Sequence, residues 1–425
     1  MKPEPNRALY SVMHSSPLTA FATQPDPPGD GRSTSVGPQE ASMQSTTAES
    51  LDESLLVTLL EELGRDAAKR RFEVAPNPCV GAAVLASGQV VARGFHRVWG
   101  GAHAEIDALQ RAAMTDIPRE AWDLLVVTLE PCSSSGKTGP CVDAILASGI
   151  GRVVVGELDP DPRHRGAGLE TLRDAGVEVY LMEGHSPLRE VAPYFTRWNL
   201  PERLRRPRPW TIAKWAQTRS GHLQPPEDIG GGRWISGESS LVEVHELRGR
   251  VDAVITGVGT VLADDPRLTV RPPAVAERAP LRVVLDSYLR TPPDARLFEP
   301  EGEGELAGKV VILTVAGADA SRWRELEAAG AEVFGLHTED GHRLDLREAQ
   351  TWLWDRGVRR VLLESGPTLL QTYLERQYVD QVRVYTGDVN GGRGASMAAW
   401  FASAKLSSRL DRESGEDAVL EGFLD

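Results

Sequence analysis

The sequence predicts an α/β fold built as two ordered modules. Three observations predict it. Apolar strand runs alternate with helical patterns from Ser54 onward, a Pro- and Arg-rich segment at 197–209 breaks that alternation, and the alternation then resumes. Strands alternating with helices also predict largely parallel sheets. Residues 1–50 are rich in Pro, Ser, Thr, Gly and Gln without periodicity. Such a composition buries too little apolar surface to offset ordering entropy, so this tail is expected to be disordered. The expected plan is a tail over 1–50, a first domain over 51–196, a linker over 197–209 and a second domain over 210–425, with no assignable role for 394–425.

Composition narrows the function. The formal net charge of -14 argues against a general nucleic-acid binder, whose surface would be basic. No apolar run is long enough for a spanning helix, so no membrane partner is expected. No positively charged start followed by an apolar core occurs, so secretion is not expected. Cys79, Cys132 and Cys141 are too few and too odd in number for a disulfide framework. Free thiols suit a reducing cytoplasm.

In the first module, Leu55, Leu56, Leu59, Leu60 and Leu63 recur at helical spacing up to a break at Pro76-Asn77-Pro78. Val80 to Ala86 and Val90 to Phe95 read as strands joined by a turn at Ser87-Gly88. A helix is expected to begin near His103, and an apolar strand from Leu124 ends at Glu130-Pro131-Cys132. Val142 to Ala147 reads as a helix stopped by Gly149. Further strands at Arg152 to Gly156 and Val177 to Leu181 flank a helix over Leu169 to Ala175.

The chemistry-bearing residues of this module are His103, Glu105, Cys132 and Cys141. One imidazole and two thiolates fill three corners of a tetrahedral zinc and leave the fourth for water. Glu105, two residues beyond His103, is off the histidine's helix face and better placed to move protons than to join the ligands. These are the parts of a zinc deaminase, except that eight residues separate the two cysteines where two are usual. Both halves of the site are expected at helix starts, where the dipole favours thiolate. Two buried core thiols would be the plain alternative, but that leaves His103 and Glu105 without a role.

In the second module, strands are expected at Trp210 to Ala216, Val251 to Gly257, Leu281 to Asp286, Lys309 to Thr314, Ala331 to Leu336 and Arg359 to Ser365, with a helix over Leu241 to Leu247. The last strand runs into Gly366-Pro367-Thr368 and a helix through Leu374, which offers free backbone N–H groups to an anion. Gly257-Val258-Gly259-Thr260 carries two glycines of a dinucleotide fingerprint, but Leu262 holds the third position and that motif fails. Singly, each loop is most often a plain strand-to-helix turn. Together at sheet ends they point to a nucleotide-phosphate crevice.

Taken together, the chain resembles the bifunctional riboflavin-biosynthesis deaminase/reductase family over roughly residues 54–390. The resemblance is carried by Pro76-Asn77-Pro78-Cys79-Val80-Gly81, His103-Ala104-Glu105, and the stretch from Glu130 through Lys137 to Cys141. In the second module it rests on Trp234-Ile235, Arg248, the run from Gly259 to Arg271, and Glu364 to Thr368. The wide cysteine spacing is this family's own. The resemblance implies a cytidine-deaminase-like domain followed by a dihydrofolate-reductase-like domain, using Zn2+ and NADPH. It implies hydrolytic removal of the 2-amino group of a phosphoribosylated diaminopyrimidinone, then reduction of its ribose to ribityl.

By the same resemblance His103, Cys132 and Cys141 hold zinc, Glu105 shuttles protons, and Asn77, His96 and Lys137 grip substrate. NADPH is expected against Ala216, Trp234, Thr260, Asp264, Ser287 and the run Gly366, Pro367, Thr368, Leu369, Leu370, Gln371 and Thr372. Substrate of the second step is expected at Arg248, Leu268, Arg271 and Glu364, the two arginines suiting a phosphate ester. Lys214 matches a family lysine, against the plain reading of a strand lysine pointing to solvent; His96 alone would read as a surface histidine. The chain departs from the family at Ser134, where histidine is common, at Arg219-Ser220-Gly221, and at Gly232. Two other readings compete: a deaminase whose reductase half only binds nucleotide or stabilises the fold, and a nucleic-acid-editing deaminase. A homo-oligomer is left open.

Overall fold

The structure, a computed structural model, describes residues 52–134, 139–200, 203, 206–227, 235–274, 278–338 and 342–424. The expected tail, Lys137, Gly232 and Trp234 lie outside the described residues.

Asp52 accepts from the amides of Ser54 and Leu55 and so caps the first helix, α1 (Glu53–Ala68). Its buried Leu56, Leu59, Leu60 and Leu63 form one stripe against the first sheet. A single turn, α2 (Arg71–Val74), leads to the hairpin of β1 (Gly81–Ala86) and β2 (Gln89–Phe95). Ser87 and Gly88 turn it with φ of 50° and 75°. Then follow α3 (Ala104–Ala112), β3 (Leu124–Val127), α4 (Cys141–Ser148), β4 (Arg152–Val155), α5 (Ala167–Asp174) and β5 (Glu178–Leu181).

The strand order is β2-β1-β3-β4-β5. β1 is antiparallel to both β2 and β3, and only β3, β4 and β5 are parallel to one another. The expectation of a largely parallel sheet therefore fails in this module. A two-residue turn joins antiparallel strands only, and that turn sits at the start of the chain's path through the sheet. Gly94 brings β2 against α3 backbone to backbone: a Cβ there would lie 2.1 Å from the Ala108 nitrogen. That contact sets where the helix following His103 sits.

Two short helices, α6 (Leu188–Val191) and α7 (Pro193–Trp198), enter the segment expected to be a linker. Its described residues are packed. The Trp198 and Trp210 rings stand 5.4 Å apart, Arg203 lies 3.8 Å over Trp198, and Arg208 forks onto Asp380 with two bonds of 2.7 Å. Prolines interrupt the periodicity there, but Arg203 and Arg208 are anchored.

The second module begins with β6 (Trp210–Gln217), β7 (His222–Gln224), α8 (Glu238–Gly249), β8 (Ala253–Gly257), α9 (Val258–Asp264) and β9 (Leu281–Leu285). It continues through β10 (Val310–Val315), α10 (Ala320–Ala328), β11 (Ala331–Leu336), α11 (Leu346–Asp355), β12 (Arg360–Leu363) and α12 (Pro367–Glu375). β13 (Gln381–Thr386), β14 (Arg393–Ser396), α13 (Ala398–Ser403), β15 (Leu406–Ser414) and β16 (Asp417–Leu424) complete it.

Nine of these strands form one sheet in the order β11-β10-β9-β8-β12-β6-β13-β16-β15. It is parallel from β11 to β13, and β16 and β15 are antiparallel additions. The central strands are apolar runs buried on both faces, as a helix-covered parallel sheet requires. The C-terminal segment without an expected role is thus the hairpin that extends this sheet. Its charged residues hid the strand pattern, yet Glu421 is buried and pairs with both Arg383 and Arg412. Among the described residues no helix is long and apolar enough to cross a membrane.

Candidate active sites

His103 occupies the N-cap position of α3, Cys141 is the first residue of α4, and Cys132 lies in the loop after β3. His103 Nδ1 stands 3.5 Å from Cys132 Sγ and 3.3 Å from Cys141 Sγ, and the three donor atoms lie within 4.8 Å of one another. A tetrahedral zinc with ordinary bond lengths places a nitrogen and a sulfur ligand about 3.5 Å apart. The residues present fit that ion in both donor chemistry and spacing. The Cys141 thiol, the His103 ring and the Cys141 amide at 3.3 Å all hydrogen-bond to the Cys132 sulfur and lower its pKa, favouring thiolate.

Glu105, in the first turn of α3, is 3% exposed, and its carboxyl bonds to the Cys141 thiol. Burial raises its pKa above the ordinary carboxylate value, the condition for a group that takes and returns a proton. His96 is also buried, at 2% exposure, so the surface reading of it does not hold. Its Nδ1 meets the Ala102 carbonyl at 2.9 Å and its Nε2 meets Asn77 Nδ2 at 3.2 Å, an arrangement that fits a neutral ring accepting from the amide. Burial lowers its pKa to about 4. Its ring lies edge-on to His103 at 5.4 Å, so Asn77 and His96 form one wall beside the His103, Cys132 and Cys141 cluster.

One supporting residue escaped the sequence reading. The buried Glu130 carboxylate accepts from the amides of Asp159 at 3.1 Å, Gly166 at 2.9 Å and Gly168 at 2.9 Å. It thereby ties the loop ahead of α5 to the strand end that carries Cys132. A Cβ on Gly168 would come within 2.0 Å of the Pro131 carbonyl oxygen, so only glycine permits this approach. The signal was present: a glutamate directly before Pro-Cys at the end of an apolar strand.

In the second module the two glycine-bearing loops lie side by side, at the C-terminal ends of the neighbouring strands β8 and β12. The Gly366 amide donates to Thr260 Oγ1 at 2.8 Å. The expected contact run narrows here. Leu370 points into the core, Gln371 bonds to Glu375, and Thr372 bonds to the Thr368 carbonyl. The Leu370 amide is already taken by the Gly366 carbonyl, so the free amides at the start of α12 end at Leu369. Asp264 closes α9 at the surface, where partial desolvation raises its pKa. Ser287 follows β9 and accepts from the Leu344 amide at 3.0 Å, and Ala216 stands in β6 opposite Tyr385.

Arg248 forks onto Glu364, Nε at 2.6 Å and Nη2 at 3.0 Å, and its Nη1 donates to the Thr269 carbonyl at 2.9 Å. Burial alone would raise Glu364, but Arg248, Lys214 and His245 outweigh it and hold the carboxyl below its ordinary range. Arg248 thus positions Glu364, with one N–H on each terminal nitrogen beyond these three bonds. Arg271, with a side chain 41% exposed and paired to Glu305 at 3.0 Å, is the more accessible cation. Leu268 is buried in a left-handed conformation at φ 53°. Lys214 does not point to solvent: it lies 5.7 Å over the Tyr385 ring, and burial lowers its pKa against the pull of Glu364.

Two family models match the chain: the cytidine and deoxycytidylate deaminase zinc-binding region over residues 58–157, and the RibD C-terminal domain over residues 209–398. The riboflavin biosynthesis protein RibD of Aquifex aeolicus is 33% identical over 359 residues, covering 83% of this chain and 94% of that protein. The chain belongs to the RibD family. The RibD of Escherichia coli is 32% identical, covering 75% of this chain and 84% of that protein. Among solved structures, Acinetobacter baumannii RibD aligns with a TM-score of 0.60 at 25% identity, over 88% of this chain and 99% of its own. A Thermotoga maritima diaminohydroxyphosphoribosylaminopyrimidine deaminase/5-amino-6-(5-phosphoribosylamino)uracil reductase aligns with a TM-score of 0.58 at 28% identity, over 88% and 99%. RibD membership gives a cytidine-deaminase-like domain followed by a dihydrofolate-reductase-like one, with Zn2+ and NADPH as the cofactors.

Proposed function

We propose that this RibD-family chain performs two successive steps of riboflavin biosynthesis. The first is hydrolytic deamination of 2,5-diamino-6-(5-phosphoribosylamino)pyrimidin-4(3H)-one; the second is NADPH-dependent reduction of the product's ribosyl side chain to ribityl. The observation that carries the reading is the His103, Cys132 and Cys141 cluster with Glu105 buried beside it, in one chain with the Arg248–Glu364 cluster and its adjoining glycine loops.

In the first step His103, Cys132 and Cys141 hold the metal. Bound zinc supplies a water of lowered pKa, nucleophilic at neutral pH. Glu105 would take one proton from that water as its oxygen bonds to the ring carbon and pass it to the adjacent ring nitrogen, then carry the new hydroxyl's proton to the amino group, so that the carbon–nitrogen bond breaks, ammonia leaves and a carbonyl remains. Asn77 and the neutral His96 hold the pyrimidine edge, with Lys137 assigned to the phosphate. In the second step NADPH supplies the hydride. The first turn of α12 and Thr260 receive its phosphates, Asp264, Ser287, Ala216 and Trp234 complete its bed, and Glu364 with Arg271 and Leu268 orients the substrate. Among the described residues, nothing in the second site favours an impaired reductase.

The domain bounds that go with this reading are 51–196 and 210–425. The net charge of -14 supports a small phosphorylated substrate over a polynucleotide, and three unpaired cysteines support a reducing cytoplasm. Zinc-loaded protein given the diaminopyrimidinone phosphate is expected to release ammonia and then consume NADPH. Ammonia release with no NADPH oxidation, given authentic deaminated product, would leave only the first half of the reading.

A further inference from the structure

We propose that Arg360, a residue of the second sheet, is a positioning residue for the deaminase step. It holds the backbone that presents Asn77 to the first site. The proposal rests on the reading of that site as a deaminase with Asn77 on its substrate.

Arg360 opens β12, at the opposite end of the strand from Glu364. Its side chain is 1% exposed and leaves the second sheet for the first module. Nη1 donates to the Glu73 carbonyl at 3.0 Å and Nη2 to the Phe72 carbonyl at 2.9 Å, both within α2. Its Nε has no hydrogen-bond partner, and no ion pair among the described residues includes it. Its Cζ also lies 5.7 Å from the centre of the Trp99 ring. A guanidinium buried against two carbonyls and one ring, without a carboxylate, is costly to desolvate, and apolar packing would join two domains more cheaply. What it provides that packing does not is a fixed location for two particular carbonyl groups.

From those carbonyls the contacts reach the site in short steps. Glu73 also accepts from the Trp99 amide at 3.0 Å, and Trp99 follows His96 by three residues. The Asn77 amide donates to the Val74 carbonyl at 3.0 Å, and Asn77 Nδ2 meets His96 Nε2 at 3.2 Å. On the other side, the Tyr194 hydroxyl donates to the Asn77 carbonyl at 2.8 Å. The Tyr194 ring is itself held 4.4 Å from Phe423 and 5.6 Å from Trp210, two residues of the second module. The second module thus supports the Asn77–His96 wall from two directions. Displacing a substrate-positioning group by a fraction of an ångström weakens binding without touching the reacting groups.

Arg360→Met removes both donors at nearly constant volume, and Arg360→Lys keeps one. In the full zinc-loaded chain, Arg360→Met is expected to raise KM for deamination about tenfold with little change in kcat, the signature of lost ground-state binding. Arg360→Lys should fall between. NADPH oxidation with deaminated substrate and zinc content should match the unaltered chain, while amide hydrogen exchange over residues 72–81 should quicken. An unchanged KM in a folded variant overturns the proposal, as does a proportional loss of both activities. If Arg360→Met does not fold, Arg360→Lys decides by the same KM and exchange criteria. Should the unaltered chain release no ammonia, the deaminase reading fails. The exchange measurement still stands apart: unchanged protection over 72–81 overturns the claim that Arg360 holds this segment.

Discussion

Asp417, at the start of β16, caps helix α8 from outside the helix: its Oδ2 accepts the Gly237 amide at 2.8 Å and the Ser240 hydroxyl at 2.5 Å. Gly237 holds the N-cap position and has no side chain to do this itself. Because α8 carries His245 and Arg248, the C-terminal hairpin fixes one wall of the second site. Asp417→Ala leaves the buried Ser240 hydroxyl and the Gly237 amide without their acceptor, and is expected to destabilise the chain by about 1–3 kcal/mol in denaturant unfolding. The same variant should raise the substrate KM for NADPH oxidation while ammonia release keeps its parent kinetics. Equal loss in both steps would mean that the cap serves general stability only.

Glu105→Gln keeps the shape of the buried carboxyl and removes its ability to accept a proton. Zinc content should stay at the parent level, since the cluster of donors is His103, Cys132 and Cys141. Ammonia release should drop by roughly 10²–10⁴-fold, the usual worth of a positioned general acid–base group. Metal analysis beside a turnover assay checks both halves, and retained turnover would assign the proton transfer elsewhere.

Much of this was legible in the sequence, for physical reasons that differ by residue. His103, Cys132 and Cys141 were readable because metal ligation restricts residue type, and the strands β8, β9 and β10 because burial on both faces demands unbroken apolar runs. The antiparallel centre of the first sheet was not readable from alternation, which is blind to strand direction. Nothing in the sequence marked Glu421 as the partner of Arg383, because pairing across two strands is a tertiary fact. The same holds for Arg248, whose fork onto Glu364 joins residues 116 positions apart.

Stability should depend on pH in the acid range through His245. Burial, with Arg248 and Arg271 nearby, lowers its pKa to about 4 in the fold against an ordinary value of 6.5. Between those values the unfolded chain binds a proton that the native state does not, so stability is full above 6.5 and declines as pH falls towards 4. His96 contributes with the same sign, its pKa also lowered to about 4. Urea midpoints compared at pH 7 and pH 5 should show the decline, and His245→Gln should reduce it. An unaltered slope in that variant would show that His245 does not carry the effect.

Chelation separates the two halves. Removing zinc should abolish ammonia release and leave NADPH oxidation of authentic deaminated substrate in place, since the reductase residues lie on the other sheet. Adding zinc back should restore the first step. Loss of NADPH oxidation on chelation would mean that the metal supports the whole fold.

The central claim, one chain with two chemistries, is tested most directly by following the diaminopyrimidinone phosphate through zinc-loaded protein with NADPH present and identifying each product by mass. The account predicts the deaminated ribosyl compound first, with one ammonia released, and then its ribityl product with one NADPH oxidised. Accumulation of the deaminated compound with NADPH untouched, or no ammonia at all, would contradict it.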